Sequence, residues 1–250
     1  MRAEHYDAHH ALEETHWWFT ARRSIVLRLL ERELRLDPAL RPPLRLLDIG
    51  CGTGGMLPHL GKYGSVVGVD PAPEAIAYAS ARDFDVRRGG LPADLPFGPG
   101  ETFDIITLLD VLEHVEADRE ALTQIRARMS ARGRLLVTVP AFQFLWSGHD
   151  VINEHKRRYR RTELRSRLEQ TGFQVRLLSY CNFALFLPIA AIRLLRRQMS
   201  VDEQQTYLGT VPAPLNGLLH TLFASERYII PALPLPFGVS LIAVASGSED

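Results

Sequence analysis

The sequence predicts an α/β fold built on a doubly wound, mostly parallel sheet, and three observations predict it. Short apolar runs alternate with amphipathic helical patterns between residues 44 and 140. A glycine-rich turn, GCGTGG, follows the first of those runs directly. An acid, Asp70, closes the second run, VVGVD, twenty residues past Gly50.

Taken in order, residues 16–36 read as a helix, with Ile25, Val26, Leu29, Leu30 and Leu34 forming an apolar stripe that the prolines at 38, 42 and 43 end. Residues 44–49 are a short buried strand, followed by the glycine turn and a helix to about residue 60. A second strand at 65–69 leads into a helix at 73–81. A strand at 103–109 precedes a helix at 119–129 that carries Leu122, Ile125 and Met129 on one face. A further strand at 134–139 is stopped by Pro140. Thr162 is positioned to cap a helix ending at Gly172, and 173–180 and 239–245 are the last strands.

The core of the fold is therefore 44–183 with 238–250, preceded by a helical segment, 1–43, expected to cover the site. Residues 184–237 hold two apolar helical stretches, 184–199 and 214–230, around VDEQQTYLGTVPAP. An insertion of that length between late strands is expected to cap the ligand crevice; extra core packing is the alternative.

Lys and Arg number 29, as do Asp and Glu, so no whole-protein field draws in nucleic acid. Cys51 and Cys181 are too few for a disulfide framework or a cysteine-based zinc site; no metal is expected, and a reducing, cytoplasmic compartment is. The N-terminus lacks the pattern of a secretory leader. FALFLPIAAIRLL is interrupted by Pro188 and Arg193 and is shorter than the roughly 20 residues of a spanning helix.

LLDIGCGTGG satisfies two templates: G-x-G-x-x-G through Gly50, Gly52 and Gly55, and D-x-G-x-G-x-G through Asp48, Gly50, Gly52 and Gly54. Either way, glycines let the backbone turn sharply after a strand and approach a ligand. Asp70 can accept from both hydroxyls of an adenosine ribose, which NAD and S-adenosylmethionine share. Asp48 discriminates. A pyrophosphate beside it would meet like charge, at a cost of roughly 4 kcal/mol at 4 Å and an effective dielectric near 20. A sulfonium and an ammonium would meet an opposite one. A carboxylate that merely holds the loop is the alternative role for Asp48.

LLDIGCGTGG, VVGVDPAPEAIAYA, FDIITLLDVLEHV and RGRLLVTVP, in this order and spacing over about 46 to 140, resemble the motifs of class I S-adenosylmethionine-dependent methyltransferases. THWWFTARR, HKRRYRRTEL and PLPFGVSLIAVA resemble one bacterial branch of them. The resemblance implies a seven-stranded Rossmann-like methyltransferase sheet whose last strand, 238–245, runs antiparallel, with S-adenosylmethionine as cofactor. It also implies a small-molecule or glycan- or lipid-linked acceptor, with O-methylation the expected chemistry. By the same resemblance Gly50, Gly52 and Gly54, with Cys51 between them, pass under the methionine part, and Asp70 with Pro71 takes the ribose. Where the family offers an Asp to adenine, this chain has Gly90 and Leu91, with Asp94 nearby; Asp110 would line the methionine side.

Methyl transfer from a sulfonium is an in-line displacement, so the protein mainly aligns the partners and excludes water. A base is needed when the acceptor is a hydroxyl. His149, with Asp150 beside it, and His155 lie after the fifth strand, where open α/β sheets bind ligands, and are the candidate bases. His114 reads as a helix-start residue bonded locally. Trp17, Trp18 and Phe19 either anchor the first helix in the core or fold over the crevice, with Trp18 toward the cofactor and Trp17 toward the acceptor. Arg22 or Arg23 would pair with the methionine carboxylate.

KRRYRR, 156–161, packs five cations into six residues. It reads as a solvated face, or as a holder of an anionic acceptor through Lys156, Arg158 and Tyr159. Phe183, Leu185, Phe186, Leu187, Leu194 and Leu195, followed by Arg196 and Arg197, suit burial in the cap or peripheral contact at a membrane interface. Oligomeric state stays open. Two other functions compete: a nicotinamide-dependent oxidoreductase, which Asp48 opposes, and a non-catalytic partner subunit, which the intact glycine loop opposes.

Overall fold

The computed structural model describes residues 3–195 and 211–247. Two helices lead: α1 (Ala3–Leu12) and α2 (Trp17–Leu36). Strands and helices then alternate as β1 (Leu44–Ile49), α3 (Leu57–Leu60), β2 (Gly64–Asp70), α4 (Pro73–Ser80), β3 (Asp85–Arg88), β4 (Phe103–Leu109), α5 (Asp118–Ala127) and β5 (Met129–Pro140). There follow α6 (Gly148–Ile152), α7 (Arg161–Gln170), β6 (Phe173–Cys181), α8 (Phe186–Leu195), α9 (Ala213–Ala224), α10 (Glu226–Ile229) and β7 (Ser240–Gly247).

The seven strands form one sheet in the order β3-β2-β1-β4-β5-β7-β6. All pairings are parallel except those of β7, which runs antiparallel between β5 and β6. Strand order reverses at β1 and β4, so a crevice opens above their carboxyl ends, where such sheets bind ligands.

Period-two alternation assigns neighbouring strand residues to opposite faces of the sheet. Leu47 and Ile49, Ile106 and Leu108, Leu135 and Val137, and Leu241 and Ala243 pack on one face with α5 and α7. Leu46, Ile105, Leu136, Ile242 and Val244 pack on the other, with the stripe of α2 and with Phe223 of α9. Buried on both faces, these strands read as continuous apolar runs. Glu33 of α2 is fully buried and ties its helix to the far end of the sheet, accepting from Arg134 Nε (3.0 Å) and Arg176 Nε (2.7 Å).

The elements depart from expectation at particular residues. α1 was not expected, because AEHYDAHHAL has no apolar stripe; tertiary bonds hold it, including Tyr78 Oη to Asp7 (2.7 Å). The helix after the glycine turn shrinks to four residues, since the loop runs on to Met56. Arg160, not Thr162, caps α7, its backbone N–H donating to Glu163 (2.7 Å), which places Thr162 inside the first turn. Leu185, just before α8, is buried, but Leu187, Leu194 and Leu195 on the helix are exposed, so burial does not account for the whole apolar stretch. Arg196, Arg197 and the part of the connecting segment up to residue 210 lie outside the described residues.

Candidate active site

β1 ends at Ile49, and the chain then turns with Gly50 at φ +70°, while Gly50 and Cys51 N–H both return to Val69 O (2.7 and 3.1 Å). A Cβ on Gly50 would stand 2.3 Å from Val111 Cγ2. Gly54, at φ +85°, lets the loop lie on Ala79 of α4, 3.0 Å from where its Cβ would be. Gly50→Ala should therefore destabilise the fold by about 1–2 kcal/mol from the backbone alone. The clash adds roughly 1–3 kcal/mol. Urea unfolding midpoints measure the sum.

Asp70, at the end of β2, holds the turn. Its Oδ2 accepts from Gly52 N (3.0 Å) and its Oδ1 from Ala72 N (2.9 Å). Burial raises its pKa, and those two N–H groups oppose the rise. Asp48 does not hold the loop. The parallel register sets it opposite Thr107 on β4, whose hydroxyl donates to Asp48 Oδ1 at 2.6 Å. Burial, only partly offset by Thr107 and Arg22, pushes Asp48 up to about 6.

These groups line one cavity of about 940 Å³ above the carboxyl ends of β1, β2, β4 and β5. That volume lies near the upper end for small-molecule and cofactor sites. One side of its lining carries Asp48, Gly50, Cys51, Gly52, Asp70 and Pro71. Another carries His149, His155, Lys156 and Arg158, together with Glu113 and His114. Trp17, Trp18, Arg22 and Arg23 of α2 also line it, as do Tyr6, His9 and Glu13 from the first helix and the turn after it.

Within the N-terminal segment, Tyr6, His9 and Glu13 are the lining residues that sequence reasoning missed. Glu13 Oε2 accepts from Gly55 N (3.0 Å) and Glu13 Oε1 from Arg82, while His9 Nδ1 lies 3.2 Å from Thr53 Oγ1. Burial pushes His9 down to about 4, so it sits neutral over the loop. Trp17 and Trp18 line the cavity and also pack on Phe223, with ring centroids 6.2 and 5.4 Å away.

Several anticipated residues have other partners. Arg22 is ion-paired with Asp110, whose Oδ1 also accepts from Thr138 Oγ1 (2.9 Å). Arg23 donates to Gly55 O (2.9 Å) and pairs with Glu14 (2.9 Å). Gly54, Gly90 and Leu91 do not line the cavity; Gly90 instead bridges to Asp94 by paired backbone bonds, and Leu91 packs on the core.

The basic run is only partly solvated: Lys156 and Arg160 are exposed, while the other cations are engaged. Arg157 pairs with Glu116 and Asp118, Arg158 forks onto Asp150 (2.8 and 2.9 Å), and Arg161 stacks on Tyr180. Tyr159 lies in the core rather than at the cavity, 2% exposed, its hydroxyl donating to Asp118 at 3.1 Å. Among the described residues, Lys156 is the cation of this run that is exposed, borders the cavity and forms no ion pair there.

The two candidate bases differ. His149 is pushed down to about 3 by burial and by Arg193, which makes it a weak proton acceptor. His155 Nδ1 lies 2.9 Å from Asp150 Oδ1, an arrangement that fixes the ring and turns Nε2 away from that carboxylate. Beside them, Glu113 is fully buried and its carboxyl oxygens have no hydrogen-bond partner, while burial holds His114 down at about 4.

A glycine turn under a switch-point cavity, with an acid at each of the first two strand ends, defines a class I S-adenosylmethionine-dependent methyltransferase. The chain belongs to the methyltransferase-domain family whose model matches residues 15–178. Among curated proteins it is similar to a ubiquinone biosynthesis O-methyltransferase of Rhizobium etli (strain CIAT 652), 39% identical over 101 residues, which are 37% of this chain and 39% of that protein. A protein of the same name from Cereibacter sphaeroides (strain ATCC 17029 / ATH 2.4.9) is 30% identical over 146 residues, 54% of this chain and 58% of that one. The chain thus spans well under two-thirds of the length of these relatives.

Among solved structures, a possible histamine N-methyltransferase from Thermotoga maritima superposes with a TM-score of 0.57 at 17% identity, covering 99% of this chain and 100% of that one. The magnesium protoporphyrin IX methyltransferase of Synechocystis PCC 6803 superposes at 0.52 and 16% identity, over 91% and 84%. Both likenesses concern the fold. No helix among the described residues is long and apolar enough to cross a membrane.

Proposed function

We propose that the chain transfers the methyl group of S-adenosylmethionine to a hydroxyl oxygen of a small acceptor, free or carried on a glycan or lipid. The observation that carries this reading is that one cavity joins the Asp48–Gly52–Asp70 lining to a lining of polar and histidine side chains. The names of the curated relatives support oxygen as the methylated atom. In this reading Asp70 takes the ribose, Gly50 and Gly52 underlie the methionine part, and Asp48 favours the cationic donor. Arg23, whose Gly55 bond sets it beside the loop, is the arginine placed for the carboxylate. The described parts of 1–43 and 184–237 cover the crevice, leaving 44–183 with the described part of 238–250 as the cofactor-binding unit.

The acceptor would sit toward His155 and Lys156, with its oxygen in line with the S–CH3 bond. As the new O–CH3 bond forms, that bond breaks and leaves the neutral thioether. The hydroxyl proton passes to His155 Nε2, the better placed of the two histidines. The exposed leucines of α8 are compatible with peripheral contact at the inner face of a membrane, and the compartment proposed is cytoplasmic.

Calorimetry with S-adenosylmethionine and its demethylated product, followed by labelled methyl transfer into a fractionated cell extract, tests this reading. Saturable binding and label in a base-stable O-methyl product are expected. Absence of binding, or label on nitrogen or sulfur alone, overturns it.

The pH dependence of binding has a defined sign. A bound cation favours ionised Asp48, so affinity is full above about pH 6 and is lost as pH falls through that value. Affinity for S-adenosylmethionine should drop about three- to tenfold between pH 7 and pH 5. Asp48→Asn should flatten the profile and lower its plateau.

A further inference from the structure

We propose that Glu113, His114 and His155 form a site for one divalent transition-metal ion in the wall of the cavity. The three side chains each offer a donor atom, and these atoms lie within 4.8 Å of one another. Metal–nitrogen and metal–oxygen bonds of about 2.0–2.2 Å set donors roughly 3–4 Å apart, so closure needs side-chain movements on the order of 1 Å. All three residues border the cavity, which leaves the remaining coordination positions open toward a ligand.

The second observation is the state of Glu113. It is fully buried, yet neither carboxyl oxygen has a hydrogen-bond partner. His155 Nε2 stands 4.0 Å from its Oε1. The cations that could neutralise it are already engaged: Arg22 is paired with Asp110, and Arg158 is forked onto Asp150. A buried carboxyl group whose oxygens lack hydrogen-bond partners is costly, and native folds retain one where something else satisfies it.

The surroundings resemble the outer shell of a metal site rather than a histidine cluster packed for its own sake. Asp150 Oδ1 accepts from His155 Nδ1 at 2.9 Å, which fixes the tautomer that leaves Nε2 with a free lone pair. Asp150 is itself immobilised by Arg158 and by Ser147 N at 2.8 Å. The His114 and His155 rings meet edge to face, 4.7 Å between centroids. Glu113 O accepts from Lys156 N at 2.7 Å, so the two segments that supply the donors are tied together at the backbone.

Two imidazoles and one carboxylate suit Mn2+, Fe2+, Co2+ or Zn2+ and disfavour Mg2+ and Ca2+, which prefer all-oxygen shells. The binding claim stands on the donor set alone; its use rests on the O-methylation reading. There the ion would hold the acceptor's hydroxyl oxygen and lower its pKa, so that the proton leaves to water and His155 serves as ligand instead of base.

The test is titration of chelator-treated protein with Co2+, read by visible absorption, and with Mn2+, read by calorimetry, in wild type and in Glu113→Gln, His114→Ala and His155→Ala. One ion per chain is expected, with at least a tenfold weaker Kd in each variant and melting curves that show the variants folded. Glu113→Gln keeps the shape of the side chain and guards against loss of the fold. Absence of one-to-one binding up to millimolar metal, or affinity unchanged in all three variants, overturns the site. S-adenosylmethionine calorimetry on the same samples separates the claims: cofactor binding without metal binding defeats the metal site alone, and the reverse defeats the functional reading alone.

Discussion

An Asp70→Ala chain should bind S-adenosylmethionine at least about a hundredfold more weakly than wild type. Two charge-assisted bonds to ribose hydroxyls are worth roughly 1.5–3 kcal/mol each, and the smaller figure for both gives that factor. The substitution also releases Gly52 N and Ala72 N, which Asp70 holds at 3.0 and 2.9 Å, so the loop loses the group that sets its approach. Each carboxylate oxygen has two lone pairs, so the backbone bonds leave room for the ribose. Asp70→Asn keeps one acceptor and the shape, and should fall between the two. Calorimetry with the demethylated product, which does not turn over, measures all three. Affinity in Asp70→Ala within about threefold of wild type would move the ribose elsewhere in the cavity.

Asp70 was legible in the sequence because its place follows from a short-range pattern: strand, glycine turn, helix, strand end. The sheet was legible for the same reason, with β1, β2 and β4 each reading as an apolar run of the right length beside a turn signal. What depends on contacts between distant segments was not. Glu13 reaches Gly55 across 42 residues, and α1 has no apolar face to announce it. KRRYRR reads as loose charge until Glu116, Asp118 and Asp150 are brought against it.

His149 and His155 look alike in sequence, yet burial beside Arg193 weakens one as a base, while Asp150 orients the other. Glu113 and His114 lie some forty residues from His155, so their meeting depends on β5 running alongside β4. Gly90 and Leu91, placed by motif alone, are outside the cavity lining; Gly90 is bridged to Asp94 through the backbone.

The second large effect belongs to Asp150, and it concerns stability. The carboxylate is fully buried and accepts from Arg158 Nε and Nη2, His155 Nδ1 and Ser147 N, all between 2.8 and 2.9 Å; Arg193 Nη1 stands 4.0 Å away. Removing its charge leaves Arg158, itself 4% exposed, facing Arg193 without its hydrogen-bonded carboxylate, with Glu113 the acid still acting on it. Breaking a buried pair in this way costs about 3–5 kcal/mol, more than the pair contributes over an apolar replacement. Asp150→Asn should therefore lower Tm by roughly 6–20 °C in a chain of this size. Because the cost is the stranded guanidinium, Asp150→Asn with Arg158→Met should recover a substantial part of it, an energetic coupling that a double-mutant cycle in urea resolves. A loss below about 1 kcal/mol in the single variant, or none recovered in the double, would mean that water reaches Arg158 and that the basic run is solvated throughout.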